Sequence, residues 1–252
     1  MILSKILANV FIRALPGAIP MVSHQNGGII LDYILKRSSR KTIAIYIRSG
    51  QLEVRAPLKC PLSAIDDFVD SKQDWIAGRL ATSQEQADAK RAFALSYGDK
   101  IIFRGRQYPI QARVGDKAGF DGECFYLPPR LAAQHIRDIC IKIYRRLAKN
   151  HLSERVAAYA PLMSQPSAVK INGAKSRWGS CSHRKSINFS WRLVMAADPV
   201  IDYVVVHELA HLEEMNHSHK FWAIVEKIMP DYYLHRQELK KLQKRLASED
   251  WG

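Results

Sequence analysis

Apolar and polar positions alternate along the first part of the chain in a pattern that predicts a β-rich region. Between residues 42 and 48, isoleucine occupies every second position from Ile43, so one face of a strand there would be apolar. Segments 29–36 and 52–56 predict two further strands, and Ser49-Gly50 predicts the turn before the last of them.

Helices and short strands alternate along the rest of the chain. A helix is predicted from Ser63 to about Ala81, and residues 83–91 are predicted to be a polar loop or a frayed helix end. The other predicted elements are a hairpin of strands 101–104 and 108–113, a strand at 124–127, a long helix from 128 to about 160, strands at 168–171 and 187–195, a helix that starts at Asp198-Pro199, and helices at 221–228 and 232–248.

This order of elements predicts an α+β fold, in which a mostly antiparallel, β-rich N-terminal half precedes a compact C-terminal half. We expect a flexible N-terminal extension over residues 1–28, a β-rich region over 29–127 and a C-terminal region over 128–252. Polar residues and a proline interrupt the apolar stretches of the extension, so neither a signal peptide nor a transmembrane span is predicted.

Two histidines four residues apart are the main candidates for chemistry. His207 and His211, in the segment His-Glu-Leu-Ala-His, would lie on one face of a helix, roughly 5–6 Å apart at Cβ. Both imidazoles could therefore bind one tetrahedral Zn²⁺ at about 2.0–2.1 Å. Glu208 could act as general base toward the attacking water, as in other zinc hydrolases with this motif. The C-terminal half is thus predicted to be zincin-like.

A third metal ligand has to come from outside this helical turn. His217 is the favoured candidate, because Asn216 tolerates the left-handed conformation that ends helices and lets the chain fold back. His219, Glu226 and Glu238 remain as alternatives.

Composition adds a possible class of partner. The chain has 252 residues and a formal net charge of +14, which fits weak binding of nucleic acid or nucleotide as well as it fits simple solubility. The four cysteines have no CxxC spacing, so neither a disulfide scaffold nor a zinc finger is predicted and a reducing, cytoplasmic location is expected.

Several segments together resemble the YgjP-like metallopeptidase family, a relative of the SprT and WLM zinc peptidases. The resemblance covers roughly residues 30 to 245 and implies zinc ligands at His207, His211 and His217, a catalytic Glu208, and peptide bonds as substrate. The matching segments are 54–57, Phe68 with 75–76, Gly105 with 108–109, 176–182, 187–193, 201–211, 216–218 and 221–222.

The segment 176–182 is a candidate wall of the substrate cleft. Arg177 could hold an anionic group beside the zinc, and Ser180 is placed in the same cleft. Cys181 is expected to be a small buried thiol and not a nucleophile, because no histidine is dedicated to it as a base. One departure from the family is the turn at 183–185, where a glycine is expected.

The predicted function is a zinc-dependent hydrolase, most simply a metallopeptidase acting on a peptide or protein. A metal-dependent nucleoside-triphosphate pyrophosphatase is the first alternative, although the chain lacks a Walker-type phosphate loop. A DNA-associated protein with a SprT-like protease core is the second. It rests on a basic stripe predicted on the last helix, formed by Arg236, Lys240, Lys241, Lys244 and Arg245.

Overall fold

The computed structural model describes the chain from Met21 onward, apart from residues 27, 28, 49 and 116. Its contacts divide the chain into two compact units, one ending at Ala92 and the other running from Phe93 to Gly252. The predicted flexibility of residues 1–20 lies outside the described residues. The described ranges are 21–26, 29–48, 50–115 and 117–252.

The first unit contains a four-stranded sheet in the order β1-β2-β4-β3. β2 pairs with β1 antiparallel and with β4 parallel, while β3 and β4 form an antiparallel hairpin. The three predicted strands are confirmed, whereas β1 falls in the segment that was predicted to be a flexible extension. The strands are β1 (Met21–Asn26), β2 (Ile29–Ser38), β3 (Ala44–Arg48) and β4 (Gln51–Pro57).

Two helices cover this sheet where one was predicted. α1 (Leu62–Asp70) and α2 (Gln73–Ala92) are separated by a bend at Ser71. Residues 83–91, predicted as a loop, belong to α2, because this polar stretch is rich in the strong helix formers Ala, Gln, Glu, Lys and Arg. The helices and sheet share a separate apolar core of Val22, Tyr33, Leu52, Val54, Ala56, Ile65, Val69 and Ile76.

The second unit begins with a sheet in the order β5-β6-β8-β7 that packs on a long helix. The predicted hairpin is confirmed. Its turn uses Arg104 and Gly105, whose φ angles are 50° and 74°, as a two-residue hairpin turn requires. The elements are β5 (Lys100–Phe103), β6 (Arg106–Ala112), β7 (Gly119–Phe120), β8 (Phe125–Leu127) and α3 (Ala133–Tyr159).

A three-stranded sheet in the order β10-β11-β9 and three helices complete the second unit. β11 pairs with β10 antiparallel and with β9 parallel. None of the helices that the structure describes is both long and apolar enough to span a bilayer. The elements are β9 (Ala168–Asn172), β10 (Gly179–Cys181), β11 (Ser186–Ser190), α4 (Asp198–Ala210), α5 (His219–Ile228) and α6 (Tyr232–Leu246).

The two compact units of the structure divide after Ala92, whereas the regions predicted from the sequence divide after Leu127. Strands β5 to β8 share one apolar core with α3 and α4, in which Phe103, Phe125 and Tyr144 are buried together. Ring contacts within that core join Phe125 to Tyr144 at 5.2 Å. The strands of residues 100–127 therefore belong with the C-terminal region and not with the N-terminal sheet.

The predicted strand at 187–195 ends earlier than its alternating pattern suggests. β11 stops at Ser190, and Trp191–Met195 form a short 3₁₀ helix whose five residues are all buried. Main-chain bonds hold this helix to the β5–β6 turn, since the amide of Arg104 donates to the carbonyl of Val194 at 2.8 Å. Tertiary packing therefore overrides the local alternation there.

Ion pairs fix both turns at the start of α4. Asp198 lies in the first helical turn and pairs with Arg104, while Ala197, and not Asp198 as predicted, is the N-cap. One turn further, Asp202 accepts bonds from Nε and Nη2 of Arg155 at 2.6 and 2.8 Å and from the Tyr159 hydroxyl at 3.2 Å. Two α3 side chains thereby satisfy a carboxylate that is only 9% exposed.

We predict that Asp202→Ala destabilises the protein, because it leaves two α3 side chains without their acceptor. The free energy of unfolding should fall by about 1.5–3 kcal/mol, toward the lower end since water can reach part of Arg155. Urea denaturation followed by circular dichroism measures it. The control Glu154→Ala, at an exposed position of α3, should change stability by less than about 0.5 kcal/mol. Equal stability of the two variants would contradict this role of Asp202.

Candidate metal centre

The end of α4 and the start of α5 bring three histidines together. α4 ends at Ala210, the residues after it form a tight reversal, and Ser218 caps α5 by accepting a bond from the Phe221 amide at 3.4 Å. His217, one residue before that cap, is thereby returned to the face of α4 that carries His207 and His211.

The three imidazoles form a nearly equilateral triangle. Ring centroids of His207, His211 and His217 are separated by 5.0, 4.7 and 4.9 Å. One nitrogen from each ring lies within 4.8 Å of the others, and Nε2 of His207 is 3.0 Å from Nε2 of His217. Ligands of a tetrahedral zinc ion stand roughly 3.4 Å apart, so small rotations of these rings would accommodate one ion.

Burial keeps protons off two histidines of the cluster and leaves their ring nitrogens available to a metal ion. Burial, followed by the charges of the neighbouring histidines, lowers the pKa of His207 to about 3. Burial also lowers the pKa of His211. Nδ1 of His211 lies 3.1 Å from the carbonyl of Glu214, so it donates there and leaves Nε2 with a free lone pair. Neutral imidazoles with inward lone pairs are the form that metals bind.

Glu208 lies buried beside the triangle. It is 5% exposed, and its Oε2 has no hydrogen-bond partner among the described residues. Burial raises its pKa to about 8, opposed in part by the positive charge of Arg177. A buried carboxyl oxygen without a hydrogen-bond partner lowers the stability of a folded protein. Such an oxygen is nevertheless suited to exchange a proton with substrate or water.

The glycine in β10 makes room for this carboxyl group. An ideal Cβ on Gly179 would lie 2.6 Å from Cγ and 2.7 Å from Cδ of Glu208, closer than any side chain permits. β10 is the edge of its sheet and packs directly against α4. The edge strand beside the histidine helix is therefore β10, while the strand predicted at 187–195 is represented by β11, the central strand of this sheet.

An aromatic stack supports His217 from the solvent side. The ring of His217 stacks on Trp222 at 5.8 Å, Trp222 on Tyr232 at 5.2 Å, and Tyr232 on Tyr203 at 6.3 Å. The guanidinium of Arg236 lies over the Trp222 ring, 5.4 Å from its centroid. The stack joins α4, α5 and α6, so an exposed histidine is held in one orientation.

The alternative third ligands lie elsewhere. His219 is exposed at the start of α5 and is not a member of the cluster found in the described part of the chain. Glu226 is exposed on α5, and Glu238 pairs with Lys241 at 2.6 Å. The geometry therefore favours His217 among the candidates.

The predicted cleft residues are only partly brought to the site. Arg177 is exposed but close enough for its charge to lower the pKa of Glu208. Ser180 follows Gly179 in the strand, so its side chain points to the opposite face, away from Glu208. Cys181 is half-buried, and burial raises the pKa of its thiol, which disfavours a nucleophilic role as expected.

The predicted basic stripe on α6 is weaker than the sequence suggests. Lys241 pairs with Glu238, and Arg245 pairs with Glu249 at 3.1 Å. Arg236 lies over Trp222 beside the histidines. These contacts leave Lys240 and Lys244 as the exposed lysines of the stripe without an ion pair in the described structure, and nothing in it supports a nucleic-acid site.

Sequence reasoning missed the residues that shape the site from outside the motif. Gly179 was assigned no role, although a glycine in a short strand beside a catalytic helix is a signal of close approach. Tyr203 lies four residues before His207, the spacing of residues on one helix face, which could have placed it beside the site. Trp222 lies in the matching segment 221–222 but was given no role, because its stacking on His217 depends on the reversal before α5.

Known proteins resemble this chain to different degrees. No curated protein matches the chain. The crystal structure of the Pyrococcus abyssi abylysin metallopeptidase zymogen is 21% identical and covers 39% of this chain and 97% of its own, with a TM-score of 0.34. That of the Methanocaldococcus jannaschii jannalysin zymogen is 22% identical and covers 39% and 96%, with a TM-score of 0.30. Both scores are too low to bear on the fold. The profile of the YgjP-like metallopeptidase domain matches residues 41–242, and the chain therefore belongs to the YgjP-like metallopeptidase domain family.

Proposed function

We propose that the protein is a zinc-dependent peptidase, in which His207, His211 and His217 bind the metal and Glu208 transfers protons. The observation that carries the proposal is the convergence of three imidazoles beside a buried carboxyl group whose Oε2 has no partner among the described residues. Family membership implies a catalytic metal and a peptide or protein substrate.

The donor set suits zinc among the common metals. Three histidine nitrogens with no carboxylate among them match the ligands of catalytic zinc sites that keep one position open. When bound, zinc would lower the pKa of a coordinated water toward about 7 and polarise the scissile carbonyl. His211 is already oriented for this role by its bond to the Glu214 carbonyl.

Glu208 is suited to move a proton within the cleft. Burial raises the pKa of its carboxyl group to about 8 in the metal-free protein, so the group takes up a proton more readily than an exposed carboxylate does. Oε2 is free to accept a proton from the attacking water and to deliver it to the leaving nitrogen. Gly179 keeps the carboxyl group close to β10 without steric conflict.

We predict that the wild-type protein binds one zinc ion per chain and that His217→Ala binds it much more weakly. Mutation of a residue that only orients a metal ligand lowers metal affinity by up to about 100-fold. Removal of a ligand itself should therefore lower zinc affinity by at least about 100-fold. Elemental analysis after dialysis against a weak chelator measures the retained zinc. His219→Ala is the matched control, two residues away and outside the cluster. Loss of zinc from the control, with retention in His217→Ala, would reject the ligand assignment.

We expect Glu208→Gln to keep zinc and fold while losing about 10²–10⁴-fold in turnover, because the amide cannot accept the proton. Peptide hydrolysis by metal-loaded protein is the measurement. Glu226→Gln, an exposed change on α5, serves as control and should be fully active. Wild-type turnover in zinc-loaded Glu208→Gln would remove Glu208 from the mechanism.

Gly179→Ala should reduce turnover without reducing zinc content. The added methyl group would overlap Cγ and Cδ of Glu208 and force the carboxyl group to rotate away, and a misplacement of about 1 Å can cost on the order of 100-fold in rate. Ser180→Ala, the next residue of β10 with its side chain on the other face, is the control. Turnover and zinc content are measured in parallel, and an unaffected Gly179→Ala variant would show that the contact is unimportant.

A further inference from the structure

A pocket of about 190 Å³ opens directly beside the histidine triangle. It lies between the edge strand β10 and the helices α4 and α6, entirely within the second unit. Two residues of the motif, His207 and Glu208, line it, and the other lining side chains are aromatic or aliphatic. The pocket is lined by Trp178, Tyr203, Val204, His207, Glu208 and Leu239, with Gly179 at the strand.

The size and lining of the pocket fit a large apolar side chain. A cavity of about 150 Å³ lined by apolar side chains can bind benzene, so this pocket has room for a leucine or phenylalanine side chain. The lining that the structure describes contains no lysine or arginine, so a carboxylate side chain between these walls would lose its hydration without gaining a cationic partner. Aspartate and glutamate side chains are thereby disfavoured.

We propose that this pocket is the subsite that selects the substrate, and that the enzyme cleaves peptides beside a large apolar residue. The inference rests on the proposed peptidase function. It follows from position, because His207 and Glu208 belong both to the pocket and to the proposed catalytic centre. A side chain that enters the pocket therefore belongs to a residue adjoining the scissile bond.

Leu239 is the residue of α6 that lines the pocket. It enters from α6, is half-buried, and packs at the edge of the core of the second unit. Truncation to alanine would deepen the pocket, and replacement by phenylalanine would fill it. Leu242, three residues further on α6, is also half-buried against that core but does not line the pocket, so Leu242→Ala reproduces the structural cost of a truncation without the change in shape.

The first experiment measures binding without turnover. N-acyl amino-acid hydroxamates, which attach to zinc through the hydroxamate, are titrated into zinc-loaded protein by calorimetry, with glycine, alanine, leucine, phenylalanine and aspartate side chains. Leucine and phenylalanine should bind at least about tenfold more tightly than glycine, and aspartate no more tightly than glycine. Leu239→Phe should abolish the preference for phenylalanine, Leu239→Ala should strengthen it relative to leucine, and Leu242→Ala should leave the ranking unchanged.

Equal affinities across the series, or a ranking that Leu239 variants leave unchanged, would overturn the subsite while leaving the metal centre intact. A second experiment separates the subsite from peptidase activity. Wild-type protein is incubated with a mixed peptide library and the new termini are sequenced. Cleavage with no apolar preference at either flanking residue rejects the subsite alone. No cleavage, together with side-chain-selective hydroxamate binding, rejects the peptidase function and keeps the pocket.

Discussion

The burial of α4 is the constraint on which the rest of the second unit depends. Every residue from Val200 to Val206 is buried, and the helix packs against α3, α5, α6 and β10. A polar group on such a helix has no water to bond and needs a protein partner. Asp202 has Arg155 and Tyr159. Glu208, near the other end, has no such partner for Oε2, and its raised pKa is the direct result.

The same burial explains why the metal ligands are arranged along one helix and one reversal. His207 and His211 come from the last turn of α4, where the packed helix reaches the surface, and His217 is supplied by the short return before α5. An ion held by all three would join two helices through side chains alone. Because such a site does not exist in the unfolded chain, the free energy of metal binding would add to the stability of this region.

Sequence patterns predicted the parts of the protein that depend on near neighbours. The β5–β6 hairpin, α6 and the spacing of His207, Glu208 and His211 all follow from residues within one or two turns of each other. The parallel pairing of β9 with β11 joins two strands that are separated along the chain by β10, and no local pattern encodes it. Gly179 and Leu239 reach the site only through tertiary packing, which is why the motif was evident and its surroundings were not.

The errors in where the predicted strands and helices end have a similar physical origin. The alternation that predicted a strand to Met195 continues past Ser190, but the chain turns there because Trp191–Met195 are buried on all sides. The polar composition of 83–91 suggested a loop, yet its residues favour a helix intrinsically. Burial and intrinsic preference thus shift the ends of elements whose existence is correctly predicted.

The shortness of β10 has a consequence for how the protein behaves in concentrated solution. Exposed sheet edges invite the edges of other molecules, and long, flat ones lead to aggregation. This edge is three residues long, contains a glycine, and is followed by a turn that carries His183, Arg184 and Lys185. A neighbouring copy therefore finds too few main-chain groups to pair with and meets positive charge immediately beyond them. The open edge of β10 beside α4 is in this way compatible with colloidal stability.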